Sequence, residues 1–179
     1  MAVSNQQSRD AALLRATTER FVLEANHDTD AIRRFEELAT HFLARVPAAD
    51  RAFVAERLSR CADAPSSVLR LLGKDVPEVA SPVLKRGLAL GEFDLLTIIA
   101  GTGKPHHRLI ATRSDLSALV VGALRLTGDA EVIARLSAYP EVVTETDEAA
   151  AEPIEIADAA ERVPAEPAFV VADVAAEEQ

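Results

Sequence analysis

The sequence predicts an all-α fold, in which short antiparallel helices stack as an α-solenoid and a disordered acidic tail follows them. Three observations support this prediction. Apolar residues recur every three or four positions up to residue 61, prolines and glycines then separate shorter apolar runs, and acidic residues dominate the end of the chain. With 49% hydrophobic and 27% charged residues among 179, the composition fits one folded domain and a tail.

The first part of the chain predicts three longer helices. Apolar side chains form one helical stripe between residues 32 and 46, with charged residues on the opposite side. The stripe consists of Ile32, Phe35, Leu38, Ala39, Phe42 and Val46. The same spacing occurs before it at Leu13, Leu14, Phe21 and Val22, and after it at Val54, Leu58 and Cys61.

Shorter helices are predicted after residue 61. Pro65, Pro77 and Pro105 stand where helices begin, because the first turn of a helix does not need the N–H group that proline lacks. Four polar residues are placed to cap the N-termini of these helices. They are Asp63, Asp75, Ser114 and Asp129.

The glycines predict tight turns between these short helices. All seven fall between residues 73 and 128, and most lie where one apolar run gives way to the next. Residues 95–99 (LLTII) taken alone resemble a buried strand, but their neighbours favour a helix.

A faint internal repeat supports stacked helical hairpins. Residues 66–72, followed by Asp75, are echoed by residues 117–124, followed by Asp129. Each hairpin of a solenoid buries its apolar side only by stacking on the next hairpin, so a repeat of this kind is expected.

Residues 141–179 differ from the rest of the chain in charge. They hold 12 acidic residues against Arg162, whereas residues 1–140 hold 18 basic and 17 acidic residues. The segment has too little apolar surface to offset the entropy cost of ordering, so we expect it to be disordered. Its one apolar island, residues 167–174 around Phe169, is expected to dock reversibly on the helical domain.

Bulk features exclude several classes of protein. The longest apolar run, residues 118–124, is much shorter than the roughly 20 residues of a membrane-spanning helix. Residues 4–10 are polar where a secretory signal needs an apolar stretch. Cys61 is the single cysteine and has no partner for an internal disulfide, which is typical of a reducing compartment. We therefore expect a cytoplasmic protein.

Three strings of residues between positions 64 and 140 carry a family resemblance. They are residues 75–84 (DVPEVASPVL), 93–96 (FDLL) and 110–117 (IATRSDLS). In this order they resemble a bacterial HEAT-like domain of unknown function, catalogued as number 2336 and seen mainly in alphaproteobacteria. The resemblance implies a HEAT-like α-solenoid and supplies no activity. Members of the family often continue into further helical repeats, whereas this chain departs from the pattern near residue 140.

Residues 101–104 (GTGK) resemble part of a phosphate-binding loop. The pattern is incomplete, because Ile98 stands where such a loop needs its first glycine and Pro105 where it needs Ser or Thr. We therefore interpret this segment as a turn that links two helices.

The histidines and the cysteine do not predict a metal or nucleophilic site. His106 and His107 are adjacent, so on a helix they point about 100° apart and do not bind one metal as residues four apart do. We expect both to be exposed at a helix start. Cys61 lies on an apolar stripe, where a buried, inert thiol is usual. No cofactor and no metal are predicted.

Arg113 is the polar residue most characteristic of the family resemblance. Its guanidinium group is suited either to a ligand carboxylate or phosphate, or to a tie between neighbouring helical hairpins, with Asp94 as a plausible partner. We favour the tie. The candidate interaction residues are Arg113, His107, Asp94 and Phe169.

We expect a non-catalytic helical-repeat adaptor that binds an unidentified protein partner, with the acidic tail as a regulatory arm. The alternative is a nucleic-acid-binding solenoid with an autoinhibitory tail, and an enzyme ranks third. The basic residues of the alternative are Arg33, Arg34, Arg45, Arg57 and Arg60. Acidic residues are interleaved with them, which is more typical of a solvated helix surface.

Overall fold

A computed structural model describes residues 2–24 and 26–139 of the chain. Within these ranges the backbone forms nine α-helices, one short 3-10 turn and no β-strand, which confirms the predicted all-α class for this part. The elements are α1 (Ala2–Leu23), α2 (Thr29–Leu43), α3 (Ala48–Leu58), α4 (Ser66–Gly73), α5 (Pro77–Arg86), α6 (Glu92–Gly101), α7 (Lys104–Ile110), α8 (Ala118–Leu126), α9 (Ala130–Arg135) and the 3-10 turn (Leu136–Ala138).

The predicted longer helices are present as α1, α2 and α3. Within α2 the predicted stripe is buried at Phe35 and Ala39, and Leu43, which the prediction did not include, is buried as well. Asp28 caps this helix, because its carboxylate accepts a hydrogen bond of 2.6 Å from the backbone N–H of Ala31. α1 has 22 residues, yet no helix of the described part combines the length and apolarity that a membrane span requires.

Proline marks the beginning of three short helices, as predicted. Pro65 is the N-cap residue of α4, Pro77 is the first residue of α5 and Pro105 is the second residue of α7. Residues 95–99 lie inside α6, so the helical interpretation of that apolar run is confirmed.

The predicted caps are only partly present. Asp129 caps α9, since its carboxylate accepts from two backbone N–H groups of the first turn. The prediction for Ser114 was wrong, because α8 begins at Ala118 and Ser117 is its cap. An ion pair between Arg113 and Asp115 joins residues of the loop that precedes this cap.

Two other predicted caps were also wrong. Asp63 and Asp75 stand before α4 and α5, but the N-cap positions are Pro65 and Val76. The Asp75 carboxylate is instead bonded to Arg51 of α3. Each aspartate therefore lies just outside the helix that it was expected to begin.

Tight turns join the short helices. Between α8 and α9 the backbone takes a φ of +66° at Gly128, a left-handed conformation that only glycine adopts without strain. Gly122 is an exception to the predicted pattern, because it lies inside α8 rather than in a turn.

The helices form two sets by their contacts. α1, α3, α5, α7 and α9 each pack on the next member of this odd-numbered set, and α2, α4, α6 and α8 do the same. Helices that follow one another in sequence, such as α4 and α5 or α8 and α9, pack across the two sets. Both sets contribute fully buried side chains to one hydrophobic core, among them Leu58, Leu84, Ile98 and Leu124.

Candidate functional site

Arg113 lies in the loop between α7 and α8, and its side chain is only 4% exposed. The guanidinium group donates two hydrogen bonds to the Asp115 carboxylate, at 2.7 and 2.6 Å. It also donates to the carbonyl oxygen of Gly87, at the end of α5, at 3.3 Å. The bonds to the Gly87 carbonyl form a tie to a neighbouring element of the kind that was predicted, whereas Asp115 lies in the same loop as Arg113.

Asp94 is not a partner of Arg113, so that prediction was wrong. It lies in the first turn of α6, where one carboxylate oxygen accepts from the backbone N–H of Gly91 at 3.0 Å. The other oxygen accepts from Nη1 of Arg70 in α4 at 2.9 Å. Both carboxylate oxygens of Asp94 are therefore engaged, one in capping α6 and the other in a hydrogen bond with α4.

His106 and His107 are both buried, and the expectation that they would be exposed was wrong. Nε2 of His106 lies 2.6 Å from the carbonyl oxygen of Asp75, and Nε2 of His107 lies 3.0 Å from that of Ile99. The described part brings together no group of three His, Cys, Asp or Glu side chains that suits a metal ion. Each ring instead links α7 to an earlier segment.

Polar bonds of one kind recur along the two helix sets, and we call them the inter-helix ties. In each tie a side chain of one helix meets a group at the N-terminal end of another helix of the same set. The ties are Arg15–Asp50 at 2.6 Å (α1 and α3), Arg51–Asp75 at 2.9 Å (α3 and α5), His106–Asp75 at 2.6 Å (α7 and α5), Arg70–Asp94 at 2.9 Å (α4 and α6) and Arg108–Asp129 at 2.9 Å (α7 and α9).

The arginines of the nucleic-acid alternative include several with acidic partners. Nη2 of Arg33 lies 3.4 Å from Asp30, and that of Arg57 lies 2.7 Å from Glu19. Arg60 pairs with Glu56 at 2.9 Å within one helix. Acidic groups beside these guanidinium groups weaken their attraction for phosphates.

Residues 101–104 form the turn that was predicted for them. Gly101 ends α6, Gly103 is the N-cap residue of α7 and Lys104 is the first residue of α7. Cys61 lies beyond the end of α3 and is half-buried rather than buried. Burial raises the pKa of its thiol, so little thiolate is present near neutral pH.

A cleft of about 600 Å³ lies beside the Arg113 loop. It is lined by Ala111, Thr112, Arg113, Ser114, Arg135, Ala138 and Tyr139. Oη of Tyr139 donates to the Arg113 carbonyl at 2.7 Å, and Arg135 donates to Glu131 and to the Arg108 carbonyl. These bonds hold the cleft walls together. His107 and Asp94 do not line it, so the three predicted polar residues do not form one concave site.

Apolar side chains are exposed on two adjacent helices, α6 and α8. We call this surface the apolar face, and it consists of Phe93, Ala100, Leu119, Gly122 and Leu126. Phe93 is 79% exposed, Leu119 64% and Leu126 90%. On each helix these residues lie opposite the buried ones, and α6 packs on α8, so the two groups lie on adjacent helices. Between Phe93 and Ala100, the hydroxyl of Thr97 donates to the Phe93 carbonyl.

Sequence reasoning missed both the apolar face and the inter-helix ties. The face follows from helical spacing once the ends of α8 are known, because Leu119 and Leu126 fall opposite the stripe of Val120 and Leu124. A signal for the ties is the distance in sequence, which is 24 residues for both Arg51–Asp75 and Arg70–Asp94.

Phe169, the fourth candidate interaction residue, lies outside the described residues, as do the other residues of the expected docking segment. The described part therefore contains three of the four candidate interaction residues: Arg113, His107 and Asp94. It offers the apolar face as a further candidate.

Comparisons with known proteins address the family resemblance. Neither the curated proteins nor the solved structures gave a match. One family model does match, and it covers residues 79–152, from the first turn of α5 through α9 and onward. This range includes the Arg113 loop and the apolar face. Its description is "Uncharacterised protein conserved in bacteria (DUF2336)", so the predicted resemblance to that family is confirmed over these residues.

Proposed function

We propose that the chain is a non-catalytic helical-repeat module that binds another protein through the apolar face. The observation that carries this proposal is the exposure of Phe93, Leu119 and Leu126 on two adjacent helices. Exposed large apolar side chains that adjoin one another are typical of sites that become covered by a partner, and aromatic residues are enriched there.

The packing of the helices supports a HEAT-like α-solenoid. Every helix from α1 to α7 contacts the helix two positions later, which is the neighbour relation of stacked hairpins. The inter-helix ties also join helices that are two positions apart, through polar bonds. Stacked hairpins of this kind present extended surfaces to partners.

The bonding of two polar candidates, Arg113 and Asp94, supports a non-catalytic role for them. The Arg113 guanidinium and both Asp94 oxygens are engaged within the protein. A catalytic group needs a donor or acceptor that is aimed at a substrate. We therefore assign these side chains to the stability of the domain and the apolar face to recognition.

The experiment is affinity capture from a native lysate with three baits: the full chain, Phe93→Ser and Leu23→Ser. Leu23, at the end of α1, is 80% exposed, so its replacement removes a similar apolar surface elsewhere. We expect one or more proteins to bind the full chain and Leu23→Ser and to be lost from Phe93→Ser. Equal capture by all three baits contradicts the proposal, and capture of nuclease-sensitive nucleic acid favours the alternative predicted from the sequence.

Residues 141–179 complete the proposal as an acidic arm that modulates binding in the cytoplasm. Their charge and composition support this role, as argued from the sequence. A chain that ends at residue 140 is expected to bind the captured partner with an altered affinity. An affinity equal to that of the full chain removes the regulatory part of the proposal and leaves the binding module.

A further inference from the structure

We infer that His107 makes α7 sensitive to mild acid: a second proton on its buried ring, taken up from solvent below about pH 6.5, favours release of α7 and the Arg113 loop from the helix stack. The inference goes beyond the proposed function, because it concerns what loosens the stack and not what binds to it. It rests on the surroundings of the two ring nitrogens of His107.

One ring nitrogen of His107 has an acceptor and the other has none. Nε2 lies 3.0 Å from the carbonyl oxygen of Ile99. A carbonyl oxygen only accepts hydrogen bonds, so Nε2 carries the hydrogen and Nδ1 carries a lone pair. The residue is only 7% exposed, and among the described residues no group bonds Nδ1. A proton added at Nδ1 would therefore bury a positive charge together with a donor that lacks an acceptor.

In the described part, no charged side chain around α7 bonds the His107 ring. α7 packs on α5, α6 and α9. The acidic residues of these helices and of the segments that adjoin them are Asp75, Glu78, Glu92, Asp94, Asp115, Asp129 and Glu131, and the basic ones are Lys85, Arg86, Lys104, Arg108, Arg113 and Arg135. Each acidic one either bonds an arginine or is at least partly open to solvent. These carboxylates are therefore engaged elsewhere and do not offset a charge on the ring.

The adjacent His106 is placed differently. Its Nε2 lies 2.6 Å from the carbonyl oxygen of Asp75, and its other ring nitrogen is not among the buried atoms that lack a partner. The His106 ring also interacts electrostatically with the Asp75 carboxylate, which favours a positive charge on it. A second proton is therefore tolerated at His106 and not at His107, so His106 is a matched control on the same helix.

α7 is suited to open before the rest of the domain does. It has seven residues, and no side chain caps its N-terminus. A helix this short depends on its packing more than on its own hydrogen bonds. The loop that follows is held to α5 through the bonds of Arg113 to the Gly87 carbonyl. We therefore expect α7 and this loop to open together as one local unit when the His107 ring takes up its second proton.

The first experiment is hydrogen exchange of the full chain at pH 7.5 and 5.5, with rates corrected for the intrinsic effect of pH. A histidine that opens to solvent binds its proton near pH 6.5, so opening should become about tenfold more favourable over this interval. The amides of α7 in the wild-type protein should show that tenfold gain, and they should keep it in His106→Gln.

Two variants of His107 should lose the gain. In His107→Gln the amide N–H lies as many bonds from the backbone as Nε2 of histidine and does not titrate in this range. His107→Phe supplies a ring without a nitrogen, in case glutamine is not accommodated. A wild-type protein without the gain overturns the inference. So does a gain that persists in both His107 variants, or one that disappears in His106→Gln.

The second experiment uses Tyr139 to follow the Arg113 loop. It is the single tyrosine of a chain without tryptophan, and its Oη donates to the Arg113 carbonyl at 2.7 Å. Its fluorescence therefore reports on this loop without an added label. The urea concentration at the midpoint of the fluorescence change should fall between pH 7.5 and 5.5, and it should fall by more in wild type than in His107→Gln. Equal falls in the two proteins contradict the inference.

Discussion

The inter-helix ties and the apolar face reverse the usual places of polar and apolar side chains. In the ties, charged groups such as Asp129 and Asp94 are at most 9% exposed and bond another helix. On the face, Phe93 and Leu126 are at least 79% exposed and lie away from the core. The difference separates two tasks: buried polar groups hold the stack together, while exposed apolar groups remain for a partner.

This separation has a testable form. Changes in the ties should lower the free energy of unfolding without a specific effect on association. Changes on the face should alter association without lowering the free energy of unfolding.

The largest effect is expected from acid, because low pH acts on several carboxylates together. The hydrogen bond from Arg108 lowers the pKa of Asp129 from 3.8 to about 2. The hydrogen bond from Arg113 lowers the pKa of Asp115. Burial raises the pKa of Asp75, but hydrogen bonds from Arg51 and from the backbone N–H of Val76, together with the positive charge of Arg51, outweigh burial and leave this pKa lowered.

A carboxyl group with a lowered pKa binds its proton more tightly in the unfolded chain, so it stabilises the fold above its unfolded pKa. That contribution is lost as the pH falls from 3.8 to about 2 for Asp129. Urea unfolding across this range should show a steep loss of stability in wild type and a shallower one in Asp129→Asn. Parallel curves for the two proteins would show that Asp129 does not carry this dependence.

The next effect concerns Arg113. Arg113→Ala removes the hydrogen bonds to Asp115 and Gly87 and leaves a space in the loop, so we expect a loss of about 2–3 kcal/mol in the free energy of unfolding. Arg33→Ala is the control, because that exposed ion pair with Asp30 should be worth less than about 1 kcal/mol. If Arg113→Ala keeps its stability and loses a binding partner, the guanidinium group recognises a ligand instead.

A pair of glycines gives a smaller effect of opposite sign. A Cβ atom at Gly87 would lie 2.5 Å from the carbonyl oxygen of Val83, so Gly87→Ala should cost about 1–3 kcal/mol. Gly122 lies in α8 with open space beside it, so Gly122→Ala should stabilise the fold by about 0.5–1 kcal/mol. Urea unfolding of both variants measures the difference, and a loss of stability in both would contradict the assignment of Gly122 to an open surface.

Much of the fold was predictable from the sequence because it depends on local signals. Proline at the start of a helix and apolar spacing act within one or two turns, so the positions of α2 and α5 followed from the residues themselves. The prediction of a helix cap at Ser114 was wrong because the residues that follow Ser114 form a loop and not a helix. The Arg113–Asp115 pair lies in that loop, and α8 begins after it, at Ala118.

The candidate site was less predictable, because its properties depend on which helices become neighbours. His107 is buried because the fold places its ring beside the Ile99 carbonyl of α6. The sequence around His107 does not show this neighbour. Asp94 bonds Arg70 rather than Arg113, since α6 packs on α4. Spacing along one helix identifies the side opposite the core, but only the packed structure shows that α6 and α8, which carry Phe93 and Leu126, are neighbouring helices.

The smallest expected change in stability is at Leu126, and it decides whether the apolar face is open. Leu126 is 90% exposed and Leu124, two positions earlier on α8, is fully buried. Leu124→Ala should lower the free energy of unfolding by about 2–5 kcal/mol, whereas Leu126→Ala should change it by less than about 0.5 kcal/mol. Both values follow from urea unfolding of the full chain at a concentration where it is monomeric. A cost at Leu126 close to that at Leu124 would mean that another part of the chain covers the face, and the apolar residues of α8 would then belong with the core rather than with recognition.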